Sequence, residues 1–185
     1  MERLQKEYEI QVRWTAFPLH PETPEEGLDL EELFAGRSMD VKQMMARLKQ
    51  VADTVGLPFG ERKKTYNSRL AQELGKWAES QGQGEEFHKA VFHAYFVDGK
   101  NIGKIPELIE LARSVGLSGE EARAVLEART FKKAVDLDWA RAYRWGVTGV
   151  PTFIMNRQGV VGAQPYEVLE QLLRVNNVKK RDLPS

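Results

Sequence analysis

The feature that most constrains this chain is the stretch Gly146-Val147-Thr148-Gly149-Val150-Pro151-Thr152-Phe153. A proline there stands at the mouth of the apolar run Thr152-Phe153-Ile154-Met155. Proline has no N–H to give to a ladder, so it is tolerated at the first residue of a strand and excluded from the interior of a central one. The run after Pro151 is therefore predicted to be a strand with a defined starting point. Gly146 and Gly149 permit a tight entry, and a Val–Pro bond takes the cis form at a cost of only about 0.5–1 kcal/mol over trans. A cis bond here would leave the backbone groups of Val150 unpaired and open to an extended partner chain.

Working outward from that stretch, the pattern divides into sheet, helices and sheet again. Leu4 and Tyr8 are spaced to share one face of a helix over residues 1–8. Ile10, Val12, Trp14 and Ala16 then alternate with Gln11, Arg13 and Thr15, the period of a strand, and Pro18 and Pro21 end it. Residues 22–27, rich in charge and turn formers, read as an exposed linker. The middle is helical. Ser38 is expected to cap a helix carrying Val41, Met44, Met45, Leu48, Val51 and Val55 at helical spacing up to Gly56. Further helices run from about Asn67 to Gly82, through Phe87 and Val91 to Asp98-Gly99, and from Pro106 to Gly116. Another starts at a Ser118–Glu121 capping box, and the last covers residues 131–145. After Pro151 the expectation is a strand over 152–156, a three-residue turn over 157–159 and a return strand over 160–162. Pro165 then opens a helix that turns Val168, Leu169, Leu172 and Leu173 to the sheet. Lys179-Lys180-Arg181 reads as a solvated tail.

Composition excludes several classes of function. Lysine and arginine number 27, as do aspartate and glutamate, so no global field gathers nucleic acid or an acidic membrane. No apolar run approaches the ~18 residues that span a bilayer. The N-terminus lacks an apolar signal core, and a cytoplasmic location is the default expectation. His88 and His93 are five apart and fall on different helix faces, and His20 lies among prolines, so no metal or other cofactor is expected. Trp139, Tyr143 and Trp145, at near-helical spacing, read as core or interface packing. There is no cysteine. Thiol–disulfide exchange requires a thiolate, so the chain as given is expected to be redox-silent, with no catalytic residue to name.

The glycine-valine-proline-threonine run, followed by Gly162-Ala163-Gln164-Pro165 and preceded by residues 92–103 (Phe92-His93-Ala94-Tyr95-Phe96 through Asp98-Gly99-Lys100-Asn101-Ile102-Gly103), resembles the DsbA-like thioredoxin superfamily, and within it the FrnE-type disulfide oxidoreductases. The resemblance covers nearly the whole chain. It implies an α/β thioredoxin-like fold with a large all-helical insertion. Residues 1–26 and 146–178 would form the thioredoxin-like part, 27–145 the insertion and 179–185 a tail. It also implies that the sheet's first strand and the thiol motif belong before Met1. The expectation is therefore a C-terminal part of a longer protein; the second possibility is that the strands re-pair directly or borrow a strand from a neighbouring chain, as a homodimer through the unpaired strand edges. The family's substrate-holding surface would map to Val150, Pro151 and Thr152, bordered by Phe17 and Pro18, and would hold an extended peptide or a protein thiol or disulfide substrate. Two alternatives remain open: a non-catalytic peptide-binding module, and a glutathione-dependent isomerase or kappa-type transferase relative that binds glutathione beside Pro151.

Overall fold

The structure, a computed structural model, describes residues 1–36 and 40–182. In chain order the elements are α1 (Glu2–Glu7), β1 (Leu28–Asp29), α2 (Leu30–Leu33), α3 (Val41–Thr54), β2 (Lys64–Thr65), α4 (Arg69–Ser80), α5 (Gly84–Phe96), α6 (Ile105–Ser114), α7 (Gly119–Glu127), α8 (Lys132–Arg144), β3 (Thr152–Met155), β4 (Gln158–Val161) and α9 (Tyr166–Val175). They form two compact units. One comprises residues 1–19 and 137–185, and the other residues 20–136, with the division falling inside α8. The sequence pattern places the insertion at 27–145. Among the described residues no helix is long and apolar enough to cross a membrane.

The helical unit is organised by α4 to α7. Leu74, Ala78, Phe87, Leu108, Ala112, Ala122 and Leu126 are completely or almost completely buried in one cluster, each at a position that the 3.6-residue period turns inward. Burying this apolar surface is what holds the helices together, at about 25 cal/mol per Å². Ser118 Oγ accepts a hydrogen bond from Glu121 N at 3.2 Å, satisfying one orphan amide at the start of α7. Gly60 is required where the chain passes α5, because a Cβ there would stand 2.0 Å from the Val97 carbonyl oxygen. Glu73 is the polar exception in this core. Its carboxylate takes Arg69 Nε at 2.5 Å and two nitrogens of Arg129 at 2.7 Å each.

Three expectations for this unit change. The middle is not all helix, because β1 and β2 form a two-residue antiparallel ladder, Leu28 against Thr65 and Asp29 against Lys64. A ladder this short has no periodicity to read. Residues 22–27 are not a free linker: Thr23 is buried, Asn67 Nδ2 donates to the Pro21 and Thr23 carbonyls, and Asn101 Nδ2 donates to that of Glu25. Turn carbonyls need donors, and two distant asparagine amides supply them. Ser38 lies outside the described residues; α3 starts two residues later than a Ser38 cap implies, with Asp40 Oδ1 accepting from Gln43 N at 3.1 Å.

The other unit packs α1 and α9 with the β3–β4 hairpin. Leu4, Tyr8 and Leu173 are its buried centre, and Ile10, Met155, Tyr166, Leu169 and Val178 pack around them. Residues 10–16 are not a strand here. Period-2 alternation says which side chains turn inward but supplies no ladder partner, and among the described residues none is paired with this segment. It is held by Ile10 N on the Tyr8 carbonyl and by Ala16 N on Asp138 Oδ2 at 3.1 Å. Lys179, Lys180 and Arg181 are not a solvated tail. Lys180 bridges Tyr8, Glu9 N donates to the Lys179 carbonyl, Arg181 N to that of Glu7, and Arg181 Nε to that of Tyr8. Only their side chains face solvent; backbone groups that α1 leaves unpaired hold the segment.

Candidate substrate-docking site

α8 ends at Arg144, and Gly146 two residues on has a φ of 67°, the left-handed conformation with which a glycine stops a helix. The chain then enters the loop to β3, in which the Val150–Pro151 peptide is cis. Thr152 Oγ1 donates to the Gly149 carbonyl at 2.6 Å and Gly162 N donates to the Pro151 carbonyl at 2.8 Å, so the loop is pinned on both sides of the proline. Gln164 Nε2 donates to the Val161 carbonyl and closes the segment after β4.

The hairpin register differs from the three-residue turn expected. The turn is Asn156-Arg157, both at positive φ (46° and 70°), the requirement of a type I′ turn, and Met155 faces Gln158. Asparagine tolerates that conformation, so a two-residue turn is available one step earlier than glycine suggests. In an antiparallel pair, opposed residues alternate between exchanging both backbone bonds and exchanging none. With Met155 and Gln158 closing the turn, Phe153 with Val160 and Pro151 with Gly162 are the bonded pairs. Thr152 and Ile154 therefore direct their N–H and C=O groups away from β4. Among the described residues no further strand joins this ladder, so that edge of β3 is open.

The candidate residues differ in exposure. Val150 is 49% exposed and Pro151 is exposed, Thr152 and Phe17 are half-buried, and Pro18 is buried. All five lie in the same compact unit. The Thr152 hydroxyl and the Gly162 amide pin the loop to its own hairpin. Tyr143 and Trp145, at the end of α8, are 60% and 57% exposed, so they offer apolar surface just before the loop instead of filling a core.

Asp138 is the residue that sequence reasoning missed. On α8 the buried positions are Val135, Asp138 and Ala142, at i, i+3 and i+7, so an acid occupies the inward stripe and is only 2% exposed. Its Oδ2 accepts from Ala16 N, and Arg13 approaches its Oδ1 at 3.6 Å, which holds the segment leading to Phe17 and Pro18 against α8. The signal was there, since charge at a stripe position is uncommon unless paired. A second polar cluster joins α1 to α9. Tyr166 Oη donates to Glu7 and Tyr8 Oη donates to Glu170 at 2.7 Å. The Tyr166 hydroxyl, with Arg3 beside it, holds the Glu7 carboxyl below its usual range, while the same bond pushes the Tyr166 phenol up to about 12. Tyr8 and then Arg174 lower Glu170 in the same way, against the opposing effect of burial.

Comparison with known proteins agrees with this architecture. The family model for the DSBA-like thioredoxin domain matches residues 1–174. YwbO of Bacillus subtilis (strain 168) is 30% identical over 177 residues, covering 93% of this chain and 85% of that protein. The crystal structure of a probable DsbA oxidoreductase from Streptomyces coelicolor superposes with a TM-score of 0.80 at 29% identity, covering 92% of this chain and 77% of that one. A 2-hydroxychromene-2-carboxylate isomerase structure shares the fold, with a TM-score of 0.74 at 19% identity over 95% of this chain and 88% of that one. The chain belongs to the DSBA-like thioredoxin domain family.

Proposed function

We propose that this member of the DSBA-like thioredoxin domain family serves thiol–disulfide chemistry by holding an extended polypeptide along the open edge of β3, and that by itself it moves no electrons. The observation that carries the reading is the outward pair of backbone groups at Thr152 and Ile154, beside the exposed Val150 and the pinned Pro151 loop. An added strand would bond to those groups in the alternating pattern of strand addition. Its side chains would meet apolar surface from Val150 and Trp145. Exchange itself requires a thiolate to attack a disulfide sulfur, and the 185 residues contain no cysteine. The chain's own part is therefore to fix the substrate backbone, with Thr152 Oγ1 on the Gly149 carbonyl keeping the loop in shape. Gly162-Ala163-Gln164-Pro165 favours the FrnE-type branch within the family.

The test is a titration with a short, extended apolar peptide and with the same peptide N-methylated at alternate residues. The reading predicts saturable binding of the first, loss of most of that binding in the second, and no reduction of a disulfide substrate by the protein alone. Equal binding of the two peptides would refute strand addition. Saturable glutathione binding without peptide binding would favour the isomerase-like alternative, and turnover of the disulfide would refute redox silence.

A further inference from the structure

An open, almost wholly apolar groove of about 420 Å³ lies between β4 and α9, lined by Val160, Glu167, Val168, Gln171, Leu172 and Val175. It exists because α9 carries two stripes. Tyr166, Leu169 and Leu173 face the core with Leu4 and Tyr8. Val168, Leu172 and Val175, at i, i+4 and i+7, face the groove, and Val168 and Val175 stay exposed. A stripe with an unused apolar face on a helix that already has its core contacts is a docking surface in search of an occupant.

We propose that the occupant is a second copy of this chain, with α9 packed antiparallel on α9 about a two-fold axis. Charge placement argues for it. Glu167 and Arg174 are seven residues apart and lie on the same flank of the stripe. When two identical helices pair antiparallel, equivalent flanks meet, so Glu167 stands opposite Arg174 of the second copy and the two-fold axis makes the pair twice. Arg174 is within reach of a second copy: its side chain is 61% exposed while it engages Glu170 on its own helix and the Tyr8 hydroxyl. On the sheet side of the groove, β4 brings no charged residue or proline toward the second copy. Lysine plus arginine equals aspartate plus glutamate, 27 each, so there is no net repulsion between copies. Ten residues of helix span only about 15 Å, so the contact is small and the dimer forms by mass action at high concentration.

Sedimentation equilibrium from micromolar to millimolar protein tests this. The weight-average mass of the wild type is expected to rise from 21.1 kDa toward twice that value. Glu167→Arg alone and Arg174→Glu alone each turn two attractive pairs into repulsive ones and weaken association at least about tenfold. The double reversal restores both pairs and recovers wild-type association. Gln171→Lys, which puts a charge into the seam, is the substitute should a reversal fail to fold by circular dichroism. A wild type that stays monomeric, variants that dimerise like the wild type, or a folded double reversal that does not recover would each overturn the proposal. Peptide binding at β3 is independent of each of these outcomes.

Discussion

Replacing Glu73 by alanine tests how much a single buried carboxylate contributes to the helical unit. The Glu73 side chain is 1% exposed and sits between Arg69 and Arg129. Burial alone would raise its pKa, but the hydrogen bonds from Arg129 and Arg69 outweigh it, and the net shift is downward. Without the carboxylate the two arginines fare differently. Arg69 keeps Asp136 Oδ1 at 2.6 Å and the Lys132 carbonyl at 2.9 Å, whereas Arg129 loses the partner of both its bonds but is exposed enough to turn toward water. Removing one member of a buried ion pair costs about 3–5 kcal/mol, and the outlets left to both arginines put this case at about 3 kcal/mol. At roughly 2–4 °C per kcal/mol for a chain of this size, the midpoint of thermal unfolding should fall by about 6–12 °C. Glu73→Gln, which keeps one acceptor oxygen, should fall by less. The assay is urea and thermal unfolding followed by far-ultraviolet circular dichroism. A loss below about 1 kcal/mol for Glu73→Ala, the range of an exposed pair, would refute the claim that this acid is a buried fastening of α4.

Three further predictions concern the other unit. The Tyr166 phenol, raised to about 12 by its bond to Glu7, binds its proton more tightly in the folded protein; its contribution to stability is complete below about pH 10 and is lost as pH rises through about 12. A spectrophotometric tyrosine titration should show a late component that disappears in Tyr166→Phe. Glu7 and Glu170, lowered by their tyrosine partners, contribute stability above about pH 4.5 that is lost as pH falls below it. Asp138→Ala should cost about 1–3 kcal/mol by leaving the Ala16 N–H without its acceptor, and amide exchange at Ala16 should accelerate. Asp138→Asn, which keeps an acceptor, should cost less.

The helices were legible because their signals are local. Leu70, Ala71, Leu74, Trp77 and Ala78 repeat at helical spacing, and α4 runs through them; Ser118 caps α7 as its spacing to Glu121 indicates. The cores of both units follow from the same periodicity, with Leu4 and Tyr8 on one face of α1. What was not legible depends on partners far along the chain. Nothing in residues 22–27 points to Asn67 and Asn101 as their donors. Nothing in Lys179 to Arg181 points to Tyr8. Residues 10–16 have the alternation of a strand, but alternation cannot state whether a neighbour pairs with it. At the candidate site the proline and the strand after it could be read directly. Which of its backbone groups face outward depended on Asn156 accepting a positive φ, and a turn placed one residue later would have reversed the answer.

That register gives the central claim its most direct measurement: residue-resolved amide hydrogen exchange of β3 with and without a saturating extended peptide. Phe153 and Met155 point at β4 and should be slowed in both states. Thr152 and Ile154 point at the open edge and should exchange fast alone and be slowed at least about tenfold when the peptide is bound. Protection that appears only at alternate residues would establish strand addition at β3. Outward amides that stay fast in the presence of bound peptide, or protection that rises evenly along the strand, would contradict the account.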